Sequence, residues 1–289
     1  MKQQRLIQIL CCVLLGIGVI VTAIGLFYEN GGLPYQVVNV WGDKVKMYGN
    51  GLYAHDTYFK APIQRGSDGV NLFIGMTLFA VVIWLNQRES IKYKVMRVSM
   101  VAYILYLATS LAFGVAYNRL FPLYLIYFSI SLYTFILCMV TLDIDEVGRK
   151  IKQGVPHRGI GIFLIFAGLS VFVWLIDIIG AVKTGRPPEI IGTYTTEITF
   201  LLDLGVIAPA AFIASYLILN KKNLGYILSG ILLIANAMIG LVVIGQSLMQ
   251  MLAGIQLTAG ATIIYVGIFV VMSTFAIYFT YELLKRIEH

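Results

Sequence analysis

The stretch IGIFLIFAGLSVFVWLIDIIGAV, residues Ile160–Val182, decides how this chain folds. It holds one charged residue, Asp177, and no proline. An α-helix rises about 1.5 Å per residue, so a run of this length crosses a bilayer core of roughly 30 Å. Seven further runs share its character: Leu6–Phe27, Asn71–Leu85, Val98–Tyr117, Leu120–Leu142, Ile198–Leu219, Leu224–Gly245 and Ala259–Leu284. The second is the shortest, and its ends extend into polar residues such as Asp68 and Gln87. The expected fold is an all-α integral membrane protein: a bundle of about eight transmembrane helices, forming one membrane domain over residues 1–289.

Composition agrees. Of the 289 residues, 59% are hydrophobic and 12% are charged, about half the charged share of a typical soluble domain. A soluble enzyme, a disordered chain and a collagen-like chain are excluded. Lys2 and Arg5 precede the first run as they would in a signal peptide. The apolar stretch that follows is longer than an h-region of about 7–15 residues, and no small-x-small cleavage site follows Phe27, so it reads as a membrane anchor.

Lys and Arg in short loops set orientation. With the N-terminus inside, the inner segments carry Lys2, Arg5, Arg88, Lys92, Lys94, Arg97, Arg149, Lys150, Lys152, Arg158, Lys221, Lys222, Lys285 and Arg286. The outer segments carry half as many: Lys44, Lys46, Lys60, Arg65, Arg119, Lys183 and Arg186. Both termini are therefore expected in the cytoplasm. The net charge of +7 follows from this loop bias and implies a lipid bilayer, not nucleic acid, as partner. Cys11, Cys12 and Cys138 lie inside apolar runs and read as small hydrophobes.

The loop from Tyr28 to Gly69 (residues 28–69) is long. Gln36-Val37-Val38-Asn39-Val40-Trp41 alternates, Gly42-Asp43 supplies a turn, and Val45–Tyr48 follows, with a second turn signal at Asn50-Gly51. This predicts a small β-hairpin-like extracytoplasmic loop that caps the bundle. The inner segment Asp143–Arg158 reads as a solvated connection, with His157 an ordinary loop residue. His289 is expected to fray. The last outer segment, Gln246–Thr258, carries no charge and is expected in the interface, as an extension of the seventh helix.

Charged side chains inside a membrane helix persist mainly where they face protein or water. Asp177 lies about five residues before the outer end of the fifth helix, and Asp203 five or six residues after the outer start of the sixth. Both fall roughly 8–9 Å below the outer boundary, on consecutive antiparallel helices. Arg65, Asp68 and Asn71, then Asn118 and Arg119, and Glu197 share that outer level, and His55 and Asp56 belong to the loop above it. The candidate ligand-binding set is Asp177, Asp203, Arg65, Asp68, Asn118, Arg119, Glu197, His55 and Asp56. A structural reading stands beside it: each Asp bonds a Tyr hydroxyl, an arginine, or a group freed by Pro209, which leaves the Gly205 carbonyl without its helix donor. Arg65 and Arg119 are candidates to neutralise Asp68, Asp177 or Asp203. Tyr103, Tyr106 and Tyr127 lie deep enough to need hydroxyl partners.

No HExxH, GxSxG or Walker A motif occurs, and no His lies in an expected helix. No zinc site, haem or other cofactor is expected. Several pieces resemble a group of bacterial multi-pass membrane proteins with no established activity. These are Tyr48-Gly49-Asn50-Gly51-Leu52-Tyr53 with Asp56, Arg65-Gly66-Ser67-Asp68 with Leu72, Tyr117–Phe121, Leu202-Asp203-Leu204-Gly205 with Pro209-Ala210, and Gly225-Tyr226. The resemblance implies a bacterial cytoplasmic-membrane protein and transfers no activity. Three functional readings follow from the residues. The first is an outward-facing polar pocket that binds or transports a small solute, proton or cation. The second is an intramembrane enzyme built on an Asp177/Asp203 dyad, though the Gly-x-Gly-Asp pattern of intramembrane aspartyl proteases is absent. The third is a non-catalytic sensor or assembly subunit that presents the hairpin as its recognition surface.

Overall fold

The computed structural model describes residues 2–88, 90–255, 260 and 266–288. Eight helices are long and apolar enough to cross a membrane. They are α1 (Lys2–Phe27), α2 (Lys60–Arg88), α3 (Ile91–Gly114), α4 (Phe121–Thr141), α5 (His157–Thr184), α6 (Ile198–Leu219), α7 (Asn223–Leu252) and α8 (Ile268–Lys285). The expected start of the eighth run at Ala259, the end of the outer segment at Thr258, and His289 lie outside the described residues.

α7 is the central strut, packed against α2, α3, α6 and α8. α1 lies against α2 and α4, and α5 pairs with α6. The core is mostly aliphatic, with buried aromatics such as Phe79, Tyr124 and Tyr127 and with glycines where helices close up. Gly225 of α7 approaches the Leu217–Ile218 backbone, and Gly66 of α2 approaches that of Gly245–Gln246; a side chain at either site would force the helices apart.

α2 begins eleven residues before the apolar run that announced it. Its polar first turns are stable as helix because Lys60, Ser67 and Asp68 are buried by α7, α1 and the loop above them. Lys60 and Arg65 thus belong to a helix, not to the loop. His157, expected in a loop, opens α5 and hydrogen-bonds the Tyr226 hydroxyl at 2.9 Å. The cap contains an antiparallel hairpin of β1 (Tyr35–Val38) and β2 (Lys44–Met47), in the register Tyr35↔Met47 to Val38↔Lys44. Asn39 closes its turn by accepting from the Trp41 and Asp43 N–H groups.

α2 and α6 each carry a wide turn within their span. In α2, residues Asn71–Gly75 are a π segment closed by Met76 N–H to the Asn71 carbonyl. In α6, Asp203–Ile207 is closed by Ala208 N–H to the Asp203 carbonyl. The second precedes Pro209, which has no N–H to offer Gly205. In the first, the Asn71 side-chain amide donates to the Ser67 carbonyl at 2.8 Å, in competition with the backbone ladder.

Candidate functional site

Beneath the cap the chain buries charge. Asp56 is fully buried where the cap meets the α3–α4 loop. Its Oδ1 accepts from the Tyr194 hydroxyl at 2.5 Å and from Ala116 N–H at 2.9 Å, while Oδ2 has no partner among the described residues. Burial pushes its pKa up to about 6, against the pull of Tyr194, Ala116 and the Lys60 charge. Lys60, at the head of α2, forms a buried ion pair with Glu197, and its ammonium sits 3.9 Å from the centre of the Tyr194 ring. Glu197 also accepts from Thr199 to cap α6. This cluster ties together the cap, α2, the α3–α4 loop and the start of α6. Asn39, donating to the Gly192 carbonyl, and Arg186, donating to Asp43 and the Trp41 carbonyl, tie the hairpin to the connection between α5 and α6.

One layer deeper lie three polar pairs. The Tyr53 hydroxyl donates to Asp68 Oδ2 at 2.6 Å. The Tyr103 hydroxyl donates to Asn71 Oδ1 at 2.6 Å. The Tyr106 hydroxyl and Trp174 indole N–H donate to the two Asp203 oxygens at 3.1 and 2.9 Å. Tyr103 and Tyr106 are one turn apart on α3, so a single helix supplies the donors for the first residue of each π segment. Wide turns of this kind are frequent at functional sites.

Of the expected set, Asp56, Asp68, Asp203 and Glu197 are buried at the cap end of the bundle, with Asp56 and Glu197 linked through Tyr194 and Lys60. Asp177 is half-buried in the C-terminal half of α5 and makes no hydrogen bond or ion pair among the described residues. Asp203 is bonded to Tyr106 and Trp174, and no hydrogen bond joins it to Asp177. Arg119 is exposed, and neither arginine neutralises a buried aspartate at ion-pair distance. Arg65 instead clamps the rim, donating to the Tyr48 hydroxyl, the Leu26 carbonyl and Glu29. Asn118 caps the α3–α4 turn by accepting from Leu120 N–H. His55 is exposed beside the Tyr35 hydroxyl at 3.0 Å.

Reading the sequence missed Lys60, Tyr53, Tyr194 and Trp174. For Lys60 the apolar run gives no sign, because the helix begins eleven residues ahead of it in a stretch that reads as loop. For the others the partner is distant in sequence, and nothing local marks it. Among the described residues, no group of three or more His, Cys, Asp or Glu is placed to hold a metal ion.

The protein-family models, the curated proteins and the solved structures compared with this chain give no match.

Proposed function

We propose that this chain is a multi-pass protein of the bacterial cytoplasmic membrane, with both termini in the cytoplasm and the cap outside. In this reading its buried acidic centre binds a small cation or cationic solute from the outer side and carries it. The supporting observation is the charge imbalance beneath the cap. Four acidic side chains, Asp56, Asp68, Asp203 and Glu197, are buried against Lys60 as the one buried lysine or arginine at that end among the described residues. Acids buried in excess of bases draw a positive species into the site. The weight of the site shifts from Asp177 to Asp68 and Asp56, because these are enclosed and Asp177 is not.

The test is electrometry on proteoliposomes containing the full chain, with jumps of external sodium, potassium, methylammonium or pH. Wild type gives a current with at least one of these, and Asp203→Asn and Asp68→Asn abolish it. Absence of current in wild type with all four probes removes the carrier reading.

A second reading has one observation in its favour. Val38 and Val40 of the hairpin tip are exposed, Val40 at 95%, on a cap held in place by its polar ties. A sensor or assembly subunit would use such a tip to meet a partner protein. Removal of residues 36–48 with unchanged co-purifying partners would dismiss it.

A further inference from the structure

Asp68 differs from the other buried acids in what surrounds it. Asp56 accepts from a phenol and a backbone N–H, Asp203 from a phenol and an indole, and Glu197 faces an ammonium. Asp68 has one donor, the Tyr53 hydroxyl on Oδ2, and its Oδ1 has no partner among the described residues. The side chain is 0% exposed and belongs to no ion pair among the described residues.

The groups that face Asp68 can be named element by element. The cap supplies Tyr53. On α2, Arg65 lies one turn earlier, with its guanidinium committed to Tyr48, Leu26 and Glu29. On α4, Tyr124 and Tyr127 lie within electrostatic reach. The Tyr124 hydroxyl approaches Tyr53 and Asn118 without hydrogen-bond geometry, and both α4 hydroxyls are buried with no partner among the described residues. α7 offers Gln246, which is bonded to Ser67. α1 offers Gly25: a Cβ there would stand 1.9 Å from Asp68 Oδ2 and 2.9 Å from the Tyr53 oxygen. The helix is pressed onto the carboxyl at a position where no side chain fits.

An ionised carboxylate has about four lone-pair sites. Here one is satisfied, in a region sealed from water, and an unpaired buried charge is among the costliest groups a fold can hold. A proton removes that charge and turns Oδ1 into a hydroxyl donor in a region where two phenol oxygens also lack partners among the described residues.

We propose that Asp68 is a proton-binding site, and that the cation taken by the buried centre is a proton held on its carboxyl and exchanged with the cap side through Tyr53. This rests on the reading of the buried acids as the binding centre. Binding forms one O–H bond at Asp68, with the proton drawn from bulk water as hydronium; release reverses it. Asp56, Asp203 and Glu197, each with its own donors or counter-ion, hold the surrounding frame.

The experiment is pH-jump infrared difference spectroscopy on the full chain in lipid nanodiscs, with carboxyl-labelled aspartate and no added solute. Wild type, jumped upward from neutral pH so that the range in which Asp56 titrates is not crossed, shows a protonated-carboxyl C=O band. Asp68→Asn loses it, Asp203→Asn keeps it, and Tyr53→Phe keeps it at a shifted frequency because one hydrogen bond is gone. A band that survives in Asp68→Asn overturns the proposal. Should that variant fail to fold, Tyr53→Phe decides alone: an unshifted band overturns the assignment and a shifted one supports it. A wild type with the band and no cation current retains the proton site and removes the carrier reading; a current without the band does the reverse.

Discussion

The two ends of the bundle treat charge in opposite ways. The cap end buries Asp56, Lys60, Asp68, Glu197 and Asp203. The far end buries Arg97, which donates to Gln4 at 2.8 Å. Its ion pairs Arg149–Asp143 and Lys152–Glu288 are exposed. Ion-paired basic residues therefore lie mostly at the surface of one end, while the polar groups that cost most to bury gather at the other. Charge counted along a sequence and charge enclosed in a fold are separate quantities, and here they mark opposite poles.

That contrast can be tested by perturbing matched groups at each end. The largest effect is expected at Lys60–Glu197. Lys60→Met strands a buried carboxylate and should cost about 3–5 kcal/mol, whereas Lys60→Met with Glu197→Leu should recover most of it. Thermal unfolding in detergent reads both, and a single variant as stable as wild type would erase the distinction between the ends.

Next comes acid. Asp56 titrates at about 6 in the fold against an ordinary value of 3.8. The folded chain holds this proton more tightly than the unfolded chain does. Its contribution is therefore complete below 3.8 and lost as pH rises to about 6, with an upper size of about 3 kcal/mol. Melting temperature should fall across that window in wild type, and the slope should flatten in Asp56→Asn.

Smaller again is a pair of substitutions on one helix. Gly25→Ala drives a methyl into Asp68 and should cost about 1–3 kcal/mol, whereas Gly16 has no atom within 4 Å of the same added carbon. Gly16→Ala should leave the melting temperature unchanged or raise it slightly. Equal losses at both would show that the cap end is not tighter than the rest of α1. Smallest of all, Arg149→Ala at the exposed pair should change stability by less than about 0.5 kcal/mol, and a larger loss would mean that the far end also depends on its charges.

The eight apolar runs each correspond to a helix because hydropathy over some twenty residues is a local property. The hairpin was also legible, as alternation around Gly42-Asp43, and the strands at Tyr35–Val38 and Lys44–Met47 lie within a residue of that pattern or inside it. The start of α2 was not, since Lys60-Ala61-Pro62-Ile63-Gln64-Arg65 looks like loop until the cap and α7 cover it. Asp203 was recognisable as a buried acid by its depth. Its hydrogen-bond partners were not, because depth gives no angle around the helix: the Tyr106 hydroxyl and the Trp174 indole bond it. Tyr106 and Asp203 are 97 residues apart and Tyr194 and Asp56 are 138 apart, separations at which no periodicity carries information.

The wide turns at Asn71–Gly75 and Asp203–Ile207 act as angular spacers. Each residue advances a helix by about 100°, so one extra residue in a turn resets the phase of everything after it. Shortening either turn by one residue would swing the lower half of its helix through that angle, carrying Phe79 and Val82 of α2, or Ala211 and Ala214 of α6, out of the interior. The upper and lower halves of these two helices are thus phased independently, with α3 holding both joints by two tyrosines one turn apart.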